Sequence, residues 1–261
     1  MNAFANRVVF LTGAGGGLGR EFARQLLAAG ADLVLSSHSP QRLAAAAEFA
    51  VHKRAGRQAG RIRALLPADL SDPVSCDRLA RQVSQVAPDL NLIIHNAGIG
   101  LYGPLDALPA DAIDCLLRIN LHAPIRLTAA LLPIIRNRPH SQIVFISSIL
   151  GRAALPHISV YSATKFGLRG FASGLTADGY CVSTVYPFFT QTDILESPQY
   201  GGGPTRRVPQ WLLDQPPAVV RASLAGIAAR RRHIFPGWKA RLYAIVAAIA
   251  PDILPPFSRL I

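Results

Sequence analysis

Apolar positions along this chain fall into two alternating rhythms. Short runs dominated by apolar residues predict strands at Val8-Val9-Phe10-Leu11, Leu33-Val34-Leu35, Arg61 to Leu66, Asn91 to His95, Ile143 to Ile146 and Val182 to Tyr186. Longer stretches between them predict helices over Arg20–Ala29, Gln41–Ala55, Pro73–Val86, Asp111–Arg136 and Tyr161–Leu175. In the first helix Phe22, Leu26 and Leu27 share a face, and Gly30 stops it. Strands with little polar alternation are buried on both faces, and strand–helix alternation makes the sheet parallel. The expected fold is α/β: a single doubly wound Rossmann-like domain over 1–261, with a mostly parallel sheet of about seven strands. Within it, 191–215 is read as an irregular excursion on the substrate side and 238–261 as a helical tail.

The end of the chain carries its own pattern. His233-Ile234-Phe235-Pro236 reads as a last, seventh strand at an edge, because proline ends pairing there. Leu242, Ile245, Val246 and Ile249 then recur at helical spacing. That stripe is expected to pack on the domain or on a second subunit. Attachment to anionic lipid, helped by Arg230-Arg231-Arg232 and Arg241, is the alternative. The apolar run Leu242–Ala250 is well short of the ~20 residues of a spanning helix, and Pro251, Pro255 and Pro256 break any continuation.

Composition adds limits. Of 261 residues, 50% are hydrophobic and 16% charged, with a mean hydropathy of +0.27, which excludes intrinsic disorder. The net charge of +12 comes almost wholly from arginine, since lysine occurs only at Lys53, Lys165 and Lys239. The basic loop with Arg54, Gly56, Arg57 and Gly60 is not interleaved with aromatics, so no nucleic-acid role is expected. A phosphorylated cofactor suits the charge better. Cys76, Cys115 and Cys181 have neither metal nor disulfide spacing, and Met1 to Arg7 lack a signal-peptide pattern. A reduced, cytoplasmic setting is the expectation. His38, His52, His122, His140, His157 and His233 show no metal-ligand spacing, and no metal is expected.

Candidate chemistry begins at Thr12-Gly13-Ala14-Gly15-Gly16-Gly17-Leu18-Gly19, a glycine-rich turn between the first strand and first helix. Glycines there let a pyrophosphate approach the unpaired N–H groups of the helix N-terminus. The spacing of Gly13, Gly17 and Gly19 is G-x-x-x-G-x-G after a threonine, not G-x-G-x-x-G. Further motifs follow in order: Asp69-Leu70 after the third strand, His95-Asn96-Ala97-Gly98 after the fourth, Ser147-Ser148 after the fifth, Tyr161-Ser162-Ala163-Thr164-Lys165, and Pro187 to Thr192. Together these resemble the short-chain dehydrogenase/reductase family over residues 8 to 192.

The resemblance implies a catalytic tetrad of Asn120, Ser148, Tyr161 and Lys165. Tyr161 and Lys165 are four apart and share a helix face, and an ammonium near a phenol is expected to draw its pKa down. Tyr161 would give or take a proton, Ser148 would polarise the reacting oxygen, and Lys165 would hold the nicotinamide ribose and tune Tyr161. Asn120, a poor residue for mid-helix, would disrupt the long helix and hold a water linking Lys165 to solvent. Ser147 is the alternative to Ser148, as a structural hydroxyl. Cofactor contacts carried over are Gly13, Gly17, Leu18, Gly19, Asp69 (to adenine), Leu70, Asn96, Ala97, Gly98, Tyr161, Lys165, Pro187 and Thr192. The chain departs from the family pattern at His95, at Phe188 in place of glycine, and in a short Ala177-Asp178-Gly179-Tyr180 connection.

NADP is the expected cofactor, with NAD less favoured. An NAD-type carboxylate belongs at the end of the second strand; Asp32 precedes that strand, while Ser36, Ser37, His38 and Arg42 follow it and suit a 2′-phosphate. The expected function is hydride transfer between NADP(H) and a carbonyl or alcohol group of an apolar small molecule, in a homodimer or homotetramer. The substrate pocket is expected from Ile149–His157, Phe188-Phe189 and Trp211-Leu212-Leu213, with Arg152 as a possible acid-binding group or a solvated one. An epimerase or dehydratase using the same tyrosine–lysine pair, and a nucleotide-binding regulator without turnover, are the alternatives.

Overall fold

The apolar runs all become strands. The structure, a computed structural model, describes residues 3–52, 60–136, 138–202 and 208–249. The strands are β1 (Val8–Leu11), β2 (Asp32–Ser37), β3 (Ile62–Pro67), β4 (Leu92–His95), β5 (Gln142–Ile146), β6 (Val182–Val185) and β7 (His233–Ile234). They form one sheet in the order β3-β2-β1-β4-β5-β6-β7, and every pairing is parallel. The helices are α1 (Gly17–Ala28), α2 (Pro40–His52), α3 (Pro73–Val86), α4 (Ala110–Leu117), α5 (Ala123–Ile135), α6 (Ser159–Ala177), α7 (Pro216–Ala228) and α8 (Gly237–Ile249).

Alternation of side chains along each strand splits the core into two layers. Val9, Leu11, Leu33, Leu35, Ile94 and Val144 meet Phe22, Leu26 and Leu27 of α1 and Val220 and Ile227 of α7. Val8, Phe10, Val34, Ile93 and Phe145 face the other way, onto Leu79 and Val83 of α3, Leu127 and Leu131 of α5, and Leu168 of α6. A third cluster lies beyond the strand ends, where Ile149, Leu150, Ile158, Tyr161, Phe188 and Phe189 meet Ala240 and Tyr243 of α8.

The agreements with the sequence reading and the differences from it have physical causes. The long helix over 111–136 does break at Asn120, as the resemblance implied, and the break is a π-helical turn, Arg118–His122, between α4 and α5. The turn carries the fully buried Asn120, whose Oδ1 accepts from the N–H of Ile99 at 2.9 Å while Nδ2 donates to the Ile99 carbonyl at 2.9 Å. The span Ala110–Ile135 is long and apolar enough to cross a membrane, with a mean hydropathy of 1.2. Here Leu127, Leu131 and Ile135 lie in the core against the sheet. Helix α7 has no counterpart in the sequence reading; Pro216 and Pro217 look like breakers but occupy the first helical turn, where proline costs nothing. Helix α2 is described to His52, so the predicted extension to Ala55 and the basic loop at 54–57 lie outside the described residues, as do Pro251, Pro255 and Pro256.

Helix α8 does not lay its large apolar stripe on the domain, one of the two partners expected for it. Leu242, Ile245 and Ile249 stay exposed and Val246 is half-buried; the face that packs is Ala240 and Ala244, with Tyr243. Small alanines bring the helix close to the body of the fold, and its large apolar side chains are left outside.

Candidate active site

The order of the sheet reverses between β1 and β4, and a crevice opens there beyond the carboxyl ends of the strands. It is a cleft of about 710 Å³ lined from the glycine turn at one end to Phe188 and Phe189 at the other. Of the residues singled out from sequence, Gly13, Gly17, Leu18, Gly19, Ser37, His38, Asp69, Leu70, Asn96, Ala97, Gly98, Ser148, Tyr161, Lys165, Pro187 and Thr192 all line it. Asn120 does not; it stands behind the wall, and a Cβ on Gly98 would lie 3.3 Å from its Oδ1.

The turn is held by Thr12. Its buried hydroxyl accepts from the N–H groups of Asn96 and Ala97, and Asn96 Nδ2 donates to the carbonyls of Thr12 and Gly13. This ties the ends of β1 and β4 together. Gly13 has φ +66, and a Cβ there would come within 2.7 Å of Ala97 Cα, so both backbone conformation and space demand glycine. A Cβ on Gly17 would strike Thr192 at 2.7 Å, whereas Gly16 has nothing closer than 3.5 Å and opens to the cleft. No side chain caps the first turn of α1, leaving its N–H groups for a ligand.

At the end of β2, Ser37 is buried and His38 exposed. Arg42, one turn into α2, reaches across the cleft to form an ion pair with Asp193. Asp32 sits at the opposite end of the strand, bound by Arg61 at 3.1 Å and Arg63 at 2.9 Å. Asp69 makes an Asx turn, accepting from Ser71 N at 2.8 Å and Ser71 Oγ at 2.7 Å, which lowers its pKa.

Helix α6 brings Tyr161 and Lys165 onto one buried face. Lys165 Nζ donates to the Ile146 carbonyl at 3.1 Å and lies 5.4 Å from the centre of the Tyr161 ring. Burial lowers its pKa to about 8. The expected drop in the Tyr161 pKa is not found: burial pushes it up, Tyr102 adds to the rise, and Ser148 opposes it only in part. Desolvation of the phenolate sets the direction, and Lys165 is not among the causes of the shift. Ser147 and Ser148 separate as alternatives. The Ser147 hydroxyl donates to the Lys165 carbonyl at 3.1 Å, while Ser148 Oγ accepts from Leu150 N at 3.1 Å and lines the cleft with the Tyr161 phenol, whose pKa it draws down.

The departures are accommodated. His95 turns away from the cleft, bonds Thr128 Oγ1 at 2.8 Å and stacks on Phe145; burial lowers its pKa to about 3, so it is neutral. Phe188 packs edge-on against Phe189 and Tyr243 and lines the cleft. The short connection after α6 turns at Gly179. One substrate-side expectation fails. Trp211, Leu212 and Leu213 do not line the cleft, and Trp211 is exposed. Arg152 lies over the rings of Tyr186 and Phe235, each 5.9 Å away.

Tyr102 escaped the sequence reading. It lines the cleft beside Tyr161, its phenol donates to the Ile194 carbonyl at 3.3 Å, and burial raises its pKa to about 12. It sits in a loop that has neither strand nor helix period, so no pattern marks it.

Three comparisons bear on these features. The family profile described as short chain dehydrogenase matches residues 7–199. Among curated proteins, the chain is similar to Dehydrogenase/reductase SDR family member 7B of Mus musculus, 34% identical over 195 residues, covering 72% of this chain and 59% of that protein. It is 35% identical over 173 residues to the Bos taurus protein of the same name, covering 66% and 53%. The match thus spans little more than half the length of these relatives. Among solved structures, the short-chain dehydrogenase from Sphingobium yanoikuyae in complex with NADPH is similar over 93% of both chains, at a TM-score of 0.78 and 28% identity. An SDR from Burkholderia phymatum in complex with NAD shares the fold at a TM-score of 0.80 and 21% identity, covering 98% and 97%. The glycine turn, strands β1 to β6 and the residues lining the cleft lie within the matched span: the chain belongs to the short-chain dehydrogenase family.

Proposed function

We propose that this protein catalyses hydride transfer between NADP(H) and the carbonyl or carbinol carbon of an apolar small molecule, with Tyr161 as general acid/base. The observation that carries this reading is the convergence of Tyr161, Ser148 and Lys165 on one end of a cleft whose other end is a bare helix N-terminus. A long phosphorylated ligand fits the donors present: peptide N–H groups at Gly16 to Leu18, the Ser37 hydroxyl, the Arg42 guanidinium and the Lys165 ammonium. A bound nicotinamide dinucleotide supplies the hydride, and the side chains of the cleft supply the proton and the geometry.

Burial keeps the Tyr161 phenol protonated, which suits it to donate as a carbonyl oxygen gains negative charge. Ser148 lines the cleft with Tyr161 and offers the same oxygen a second donor. Lys165 Nζ spends one donor on Ile146 and has others directed at the cleft beside Gly98. Asn120 acts at one remove, fixing the Ile99 backbone, and is a positioning residue. The substrate end is walled by Ile149, Leu150, Phe188, Phe189 and Ile194, so it favours an apolar carbonyl compound. Relatedness to a protein solved with NADPH, and the lack of a carboxylate at the cleft end of β2, support NADP.

A panel of ketones, aldehydes and alcohols with both cofactors tests the reaction class. Tyr161→Phe is expected to retain cofactor binding and lose at least ~100-fold in turnover, the usual effect of removing a general acid. Turnover near the wild-type rate would remove Tyr161 from the mechanism; tight cofactor binding with no turnover on any substrate would favour a regulator.

A further inference from the structure

Helix α8 has two faces of different use. Its inner face packs behind the substrate end of the cleft: Tyr243 Oη donates to the Ala153 carbonyl at 3.0 Å, and its ring lies 6.3 Å from Phe188, which lines the cleft. The outer face carries Trp238, Leu242, Ile245 and Ile249, spaced by four, three and four residues, hence along one stripe. These side chains are 69%, 53%, 56% and 79% exposed. Trp211, 76% exposed, is tied to the start of the same helix, because Lys239 Nζ donates to the carbonyls of Trp211 and Leu212. Lys239 also pairs with Asp214 at 3.1 Å, so the helix and the Trp211 turn are clamped together.

From this arrangement we infer that the outer face of α8, with Trp211, is a docking surface for an anionic lipid bilayer. Charge selects the occupant. Helix α8 itself carries two cations, Lys239 and Arg241, and no carboxylate. Arg241 is exposed beside Leu242 and has no ion-pair partner among the described residues. A second copy meeting this face about a two-fold axis would set Arg241 near its own equivalent, with no acidic group on the helix to offset it. An anionic interface offers both what the stripe needs and what the arginine needs: acyl chains for leucine and isoleucine, headgroup depth for the indoles, and phosphates for the cation. The bilayer would then lie one helix thickness, about 10 Å, from the cleft.

The test uses the full chain and reads no turnover, so it is independent of the reaction proposed above. The protein has two tryptophans, Trp211 and Trp238, and both are in the patch. With vesicles of phosphatidylcholine and phosphatidylserine, the chain is expected to float, and tryptophan emission is expected to move to shorter wavelength and be quenched by brominated acyl chains. With phosphatidylcholine alone, or at high salt, binding is expected to fall several-fold. Leu242→Ser/Ile245→Ser/Ile249→Ser is expected to cut vesicle binding by at least about tenfold, with Tm within about 2 °C of wild type because the sites are exposed. Should that variant not fold, Arg241→Glu serves, with a several-fold loss on anionic vesicles. Wild-type protein that neither floats nor shifts its emission overturns the inference, as does unchanged binding by a folded triple variant. A wild-type oligomer that ignores vesicles and falls apart in the triple variant also overturns it, in favour of a second copy.

Discussion

Tyr161 and Lys165 share one buried helix face, and burial drives them in opposite directions: the phenol pKa rises, while that of the ammonium falls from 10.5 to about 8. Two outcomes follow for Lys165. Below pH 8 it is charged, so a step that needs the ammonium is expected to weaken as pH rises through 8, and kcat/KM for carbonyl reduction should decline there. Stability runs the other way. Between about 8 and 10.5 the folded state binds fewer protons than the unfolded chain, so unfolding free energy rises with pH across that window. Against Lys165→Met, wild type should therefore gain stability from pH 8 to pH 10.5, as read by urea unfolding at each pH. A constant gap between the two proteins would mean that Lys165 keeps an ordinary pKa.

Among the elements, the π-helical turn at Arg118–His122 shows how one polar side chain reshapes a helix. Asn120 makes two bonds to the Ile99 backbone, which hold the loop after β4 against the turn between α4 and α5. Asn120→Ala leaves a part-buried N–H and carbonyl of Ile99 without partners, at an expected cost of about 2–4 kcal/mol; urea unfolding measures it. A loss under about 0.5 kcal/mol, the range of ordinary surface changes, would show that the turn forms without it. The asparagine could be marked in the sequence because asparagine is out of place in mid-helix; its partner Ile99 could not, since a backbone pairing leaves no side-chain signal. The same limit applies elsewhere. Strands β1, β4 and β5 were legible because both of their faces are buried, so nearly every residue is apolar. Helix α8 was legible as a helix, yet its packing face was misread. Periodicity located the large apolar side chains, and close approach instead favoured Ala240 and Ala244.

Across the whole molecule, the cleft is bridged by a contact that no local pattern announces. Arg42 and Asp193 are 151 residues apart, one on α2 and the other just after Thr192, and their ion pair spans the cleft near Ser37. Both side chains are half exposed, and such pairs contribute only about 0.2–1 kcal/mol. A charge-assisted bond from Arg42 to a 2′-phosphate is worth about 1.5–3 kcal/mol. The phosphate is therefore expected to win the arginine from Asp193, whereas NADH, having none, leaves the pair intact. On this account Arg42→Ala weakens NADPH binding about 10–100-fold and barely changes NADH. Asp193→Asn does the reverse to the first cofactor: with no carboxylate to displace, NADPH binds up to about fivefold more tightly. Titration of both cofactors against the three proteins measures this. Equal losses for NADPH and NADH in Arg42→Ala would assign the arginine to the shape of the cleft, and the preference for a 2′-phosphate would have to come from Ser37 and His38 alone.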